Sequence, residues 1–158
     1  MTSFEAVRAR EYLALDGIFF NAASWGLLPR RTVDAVGELT ARRNRSEGFE
    51  EEELVAILAR ARAAAARLVS ATPAEIALSP NTSFGVNLAA ACIAQGPPGI
   101  VVVSAGEFPA NVFPWVALES RGFTVEILPT GPDALPDEAR LASALERSDV
   151  RALAVSHV

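Results

Sequence analysis

From residue 76 to residue 158, short apolar runs alternate with stretches of helical character, and no other feature restricts the fold as much. Residues 76–79, 100–104, 123–128 and 152–156 read as strands, and residues 83–94, 110–120 and 136–147 read as helices between them. Such alternation predicts an α/β fold: a parallel or mostly parallel sheet with flanking helices and right-handed crossovers. The run IVVVS at 100–104 shows no polar alternation, the pattern of a strand covered on both faces. Gly122 is placed to stop the second helix, and Leu141 and Leu145 are expected to point inward from the third. GPPG at 96–99 and PTGPDALP at 129–136 carry turn chemistry.

Ahead of residue 76 the pattern is helical. Residues 3–13 read as a weak helix, and Ile18-Phe19-Phe20 is a short apolar run. The segment NAASWGLLPRR at 21–31 is a loop closed by Pro29. Residues 30–45 read as an exposed helix and residues 50–69 as a second, with Leu54, Ile57, Leu58 and Ala61 at helical spacing. The acidic run at 50–53 suits a positive helix N-terminus, so it reads as a solvated helix turn rather than a binding patch. Thr72-Pro73-Ala74-Glu75 has the spacing of a capping box with proline at the first helical position.

Composition narrows the function classes. The chain is 51% hydrophobic and 21% charged, which is globular rather than disordered usage. A net charge of −5 argues against a nucleic-acid partner. One cysteine, Cys92, leaves no internal disulfide and no Cys-rich metal site, and no metal is expected; Cys92 itself is expected within an apolar helix face, inert. No apolar run reaches the roughly 18–20 residues of a membrane span. The first residues lack the apolar stretch of a signal peptide. A cytoplasmic protein with no membrane partner is the expectation. All 14 basic residues are arginine, so no side-chain amine here can form a Schiff base.

Four local constellations can carry chemistry. In LSPNTSFGVNLAA, Leu78 to Ala90, a strand end runs into a helix start through Asn81, Thr82 and Ser83. Free N–H groups at a helix start, with the Thr82 and Ser83 hydroxyls, suit a phosphate; the same residues also describe an ordinary N-cap by Asn81 or Thr82. Neither a Walker loop nor a G-x-G-x-x-G is present. In SAGEFPANVFPW, Ser104 to Trp115, Phe108 stands on a stiff turn before Pro109, where its ring can stack on a flat cofactor or serve as core; Trp115 is expected to pack. In NAASWGLLP the small residues allow close approach of a ligand, or simply mark a loop set by Gly26 and Pro29. His157, the single histidine, stands at a strand end and reads as a hydrogen-bonded structural residue rather than a base.

Taken in order, NAASWGLLP, LSPNTSFGVNLAA, EFPANVFPW and AVSHV resemble the N-terminal part of the class V aminotransferase family, over essentially the whole chain. These are fold-type I enzymes that use pyridoxal 5′-phosphate, and they include cysteine desulfurases and isopenicillin N epimerase-like proteins. The resemblance implies the first part of the fold-type I large domain, with residues 1–29 as a segment bearing the substrate-side loop and residues 30–158 as the start of the cofactor-binding domain. It implies that the N–H groups of Thr82 and Ser83 and the Ser83 hydroxyl hold the cofactor phosphate, with Asn81 beside them in the cofactor site. It implies that Phe108 stacks on the pyridine ring and that the loop from Asn21 through Ala23, Ser24 and Trp25 lines the substrate end. An amino-acid substrate and a homodimer follow from the same resemblance.

The family's Ser-Asn, ring-nitrogen Asp, His or Gln, Schiff-base Lys and carboxylate-binding Arg would all follow AVSHV, so the chain is expected to be a fragment that is inactive alone. Desulfurases of the family usually carry His where Phe108 stands, and Phe moves no proton. An aminotransferase-type or epimerase-like activity is therefore favoured over desulfuration. A stand-alone α/β phosphate- or nucleotide-binding module and a non-catalytic interaction domain are the alternatives.

Overall fold

The computed structural model describes residues 3–12, 17–48 and 50–156; His157 and Val158, the end of the AVSHV motif, lie outside them. The chain divides into two compact units, Met1–Ile76 and Ala77–Val158.

The first unit is helical. α1 (Phe4–Glu11) starts at Ser3, whose side chain accepts the Ala6 N–H at 3.2 Å. Glu11 closes α1 and is buried. Its carboxylate accepts from the Arg10 guanidinium at 2.9 Å and from the Arg31 N–H at 3.4 Å. A negative group thus meets the first turn of α2 (Arg30–Asn44), where the helix dipole favours it. α3 (Glu51–Leu68) opens on the acidic run, and Arg42 of α2 grips Glu53 through its Nη1 and Nη2, at 2.7 and 3.1 Å. The same Arg42 donates to the Gly48 carbonyl and so holds the connection between the helices. Beyond α3, a single 3-10 turn (Pro73–Glu75) follows Thr72, whose N–H and hydroxyl both donate to the Glu75 carboxylate at 2.8 Å. That is the carboxylate arm of the expected capping box.

The second unit is built on a parallel sheet in the order β2–β1–β3, from β1 (Ile100–Ser104), β2 (Thr124–Leu128) and β3 (Val150–Ala154). Val101 pairs with Val125 on one side and Ala152 on the other. Val101, Val102 and Val103 are completely buried. Val101 and Val103 join a cluster with Ala90 of α4 (Thr82–Ile93), Trp115, Leu118 and Phe123. Val102 faces the opposite cluster, with Leu141 and Ala144 of α6 (Glu138–Leu145). The continuous apolar run therefore has the meaning expected of it, a strand covered on both faces. Each valine contributes roughly 1.5–3 kcal/mol by leaving water.

Five expectations need correction. Residues 76–79 are not a strand: Ile76 has extended angles (φ −103°, ψ 122°), but among the described residues no strand pairs with the segment, and a strand exists only by its ladder. Residues 110–120 are not one helix. They form a 3-10 turn (Pro109–Asn111), the short helix α5 (Phe113–Val116) and a second 3-10 stretch (Ala117–Arg121) that ends at Gly122. Pro114 lacks an N–H, and its ring would strike the carbonyl of residue 110 in a continuous helix. Leu145 is half exposed and Ala144 takes the inward place, because α6 turns its Leu141–Ala144 edge to Val102. The last strand lies at 150–154 rather than 152–156, since β1 offers its ladder opposite Val150 to Ala154. Cys92 is exposed, because the inward stripe of α4 runs through Val86, Ala90 and Ile93 to Ala94.

Just before β1 and β3 pair, the backbone at Gly99 leaves no room for a side chain. A Cβ on Gly99 would collide with the Asp149 carbonyl oxygen and the Arg151 side chain. Gly99→Ala is expected to lower unfolding stability by about 1–3 kcal/mol in a urea titration. A change below about 0.5 kcal/mol would show that the two strands tolerate wider spacing.

Candidate functional site

In a parallel sheet the loops beyond the strands' carboxyl ends lie on one edge, where open α/β sheets bind ligands. Two segments of the second unit carry the candidate residues. α4 begins at Asn81, whose side chain accepts the Phe84 N–H at 2.9 Å. Asn81 is thus the N-cap, which settles the choice between Asn81 and Thr82. Capping leaves the N–H groups of Thr82 and Ser83, at the first two helical positions, without an acceptor inside the helix. Among the described residues neither hydroxyl has a hydrogen-bond partner, and both residues are exposed. The Ser83 carbonyl is engaged by the Asn87 amide at 2.8 Å, which steadies the first turn.

The second segment leaves β1. Gly106 takes a left-handed conformation (φ 82°) that an L side chain would resist, and it turns the chain away from the sheet. Phe108 follows as the N-cap residue of the turn that Pro109 opens, and this turn packs against α4. The ring is 67% exposed, so it is no core residue. Trp115 is buried and packs in the core cluster, as expected. The structure thus packs the turn next to Phe108 against α4, the helix whose first turn carries Thr82 and Ser83.

Ala23, Ser24 and Trp25 belong to the first unit, in a turn closed by the Trp25 N–H on the Asn21 carbonyl at 2.9 Å. All are exposed.

Sequence reasoning missed Glu107. Its carboxylate accepts from the N–H and the hydroxyl of Ser156, each at 2.5 Å, and from the Asn111 amide at 3.0 Å. Burial pushes this carboxyl up, but the donors from Asn111 and Ser156 outweigh it and hold it below its ordinary value. A signal existed: Glu107 is the sole charged residue between Glu75 and Glu119. Among the described residues no cluster of His, Cys, Asp and Glu could hold a metal ion. No described helix is long and apolar enough to cross a membrane.

Residues 18–158 match the family Aminotransferase class-V. The chain is 28% identical to a probable cysteine desulfurase of Methanothermobacter thermautotrophicus, over 98% of this chain and 39% of the relative. It is 30% identical to the isopenicillin N epimerase of Streptomyces clavuligerus, over 84% of this chain and 35% of the relative. The chain therefore spans under two fifths of the length of these relatives. Among solved structures, the cysteine desulfurase CsdA of Escherichia coli superposes with a TM-score of 0.72 at 26% identity, over 92% of this chain and 39% of that one. A C-DES mutant with glycine covalently linked to its PLP cofactor superposes at 0.71 and 18% identity, which speaks for the fold alone. The fold is thus that of the first part of a fold-type I large domain.

The lowered Glu107 carboxyl makes stability depend on pH. A group whose folded value lies below its unfolded one stabilises above the unfolded value, and the gain is lost as pH falls through the folded one. The wild type is expected to exceed Glu107→Gln by about 1 kcal/mol at pH 7, screening included. The difference should vanish as pH falls below the ordinary value of 4.5. Urea titrations across pH measure it, and a constant difference at all pH values would contradict the ionised form.

Proposed function

The chain belongs to the class V aminotransferase family, and from that premise we propose that it is the phosphate- and ring-holding part of a pyridoxal 5′-phosphate enzyme acting on an amino acid. The observation that carries this reading is a helix with an open, capped start and an exposed aromatic on the turn packed against that same helix. A phosphate fits the free N–H groups of Thr82 and Ser83 and the Ser83 hydroxyl, where the helix dipole adds to the attraction. Asn81 caps the turn and holds those donors in place. Phe108 offers a flat apolar face to a pyridine ring, and covering it removes exposed apolar surface from water. Ala23, Ser24 and Trp25 would line the substrate end.

Bound there, the cofactor supplies the electron sink for amino-acid chemistry. This chain's residues bind it and orient it. They do not anchor it covalently, because no lysine occurs among them. Activity in the whole protein thus depends on groups outside residues 1–158, and these residues alone are inactive. Residues 1–29 form the segment with the substrate-side loop, and residues 30–158 open the cofactor-binding domain. A cytoplasmic homodimer is part of the same reading.

For the reaction itself, Phe108 favours an aminotransferase-type or epimerase-like outcome, since a phenyl ring passes no proton. Cysteine desulfuration is the alternative within the family. The absence of lysine favours one further reading, a non-catalytic phosphate-binding module.

In the protein expressed from its complete reading frame, Ser83→Ala is expected to weaken pyridoxal 5′-phosphate binding about tenfold in an absorbance titration. Unchanged affinity would remove the phosphate from the α4 turn. Residues 1–158 alone, treated with the cofactor and borohydride, should carry no pyridoxyl group on any side chain by mass spectrometry. A side-chain adduct would overturn the claim that they offer no anchor.

A further inference from the structure

We propose that Glu107 is the positioning residue of Phe108: its carboxylate ties the turn after β1 to the segment after β3 and so fixes the angle of the aromatic face. The inference rests on the reading that Phe108 covers the cofactor ring. The Ser156 N–H reaches one carboxylate oxygen; the Ser156 hydroxyl and the Asn111 amide reach the other. Glu107 and Ser156 lie 49 residues apart in sequence, so the contact joins two separate strand ends. All the donors are neutral, and among the described residues no cation pairs with Glu107. A charge placed in a lysine-free, arginine-free stretch without a counter-ion is costly to desolvate, and neutral side chains would serve mere packing at less cost.

What the arrangement achieves is seen at the next residue. Phe108 is mostly exposed, so packing does little to hold its ring. Its orientation comes from the backbone on either side. Pro109 fixes φ on one side, and the Asn111 N–H grips the Phe108 carbonyl at 2.8 Å. On the other side stands Gly106, with no side chain to restrain it, and there the Glu107 clasp supplies the missing constraint. Asn111 serves both sides at once, through its backbone N–H to Phe108 and its side chain to Glu107.

The test is a double-variant cycle in the protein expressed from its complete reading frame, read by pyridoxal 5′-phosphate affinity and by the circular dichroism band induced in the bound cofactor. Glu107→Gln is expected to weaken binding about tenfold and to diminish the band. Combined with Phe108→Ala, it should add nothing to the loss from Phe108→Ala alone, because both act through one ring. Ser156→Ala removes one donor, keeps the backbone N–H and should give a smaller loss of the same kind; it carries the test if Glu107→Gln does not fold. Unchanged affinity and band in Glu107→Gln, or losses that multiply in the double variant, would overturn the positioning role while leaving the cofactor reading intact. A wild type that binds no pyridoxal 5′-phosphate would instead fail the cofactor reading, and the positioning role would fall with it.

Discussion

The valine run of β1 has a parallel neighbour on each edge and a hydrophobic cluster on each face, so every part of the second unit is referred to it. Its burial leaves no room for a polar side chain and little for a change of volume. It also fixes where the functional loops can be. Because β2 and β3 both run parallel to β1, their carboxyl ends and that of β1 open on one edge. The turn that carries Glu107 and Phe108 leaves from this edge, and Ser156 stands just beyond β3 on it. α4 is held to the same core through Ala90 and Ala94, and that turn packs against it.

Much of this was legible in the sequence where one signal dominated. The bounds of β1 follow from the IVVVS run, because a short apolar stretch without polar alternation, set between turn residues, has to be covered on both faces. α4 was readable from the polar Asn81-Thr82-Ser83 start followed by small apolar residues, and α2 and α3 from charge and spacing. Failures came where the outcome depended on partners far along the chain. Residues 76–79 have strand-like composition but no ladder neighbour, and neither composition nor periodicity reveals a missing neighbour. Residues 110–120 look helical by content, yet Pro109 and Pro114 break the segment into shorter turns.

The candidate site shows the same division. Thr82, Ser83 and Phe108 became candidates through local turn chemistry and through order along the chain. Glu107 was not, because its meaning lies in Ser156, which no local pattern connects to it. The lone charge in an otherwise uncharged stretch was the available sign. Electrostatically the edge is sparse: helix N–H groups and a carboxylate satisfied by neutral donors, with lysine absent throughout. In the proposed reading such an edge holds and orients an anionic, flat ligand and offers no side-chain amine of its own.

The most direct measurement is a crystal structure of the protein, expressed from its complete reading frame, with pyridoxal 5′-phosphate bound. Phosphate oxygens are expected within about 3 Å of the Thr82 and Ser83 backbone nitrogens, and the pyridine ring against the face of Phe108. A phosphate seated away from the α4 turn, or a ring out of contact with Phe108, would contradict the cofactor reading.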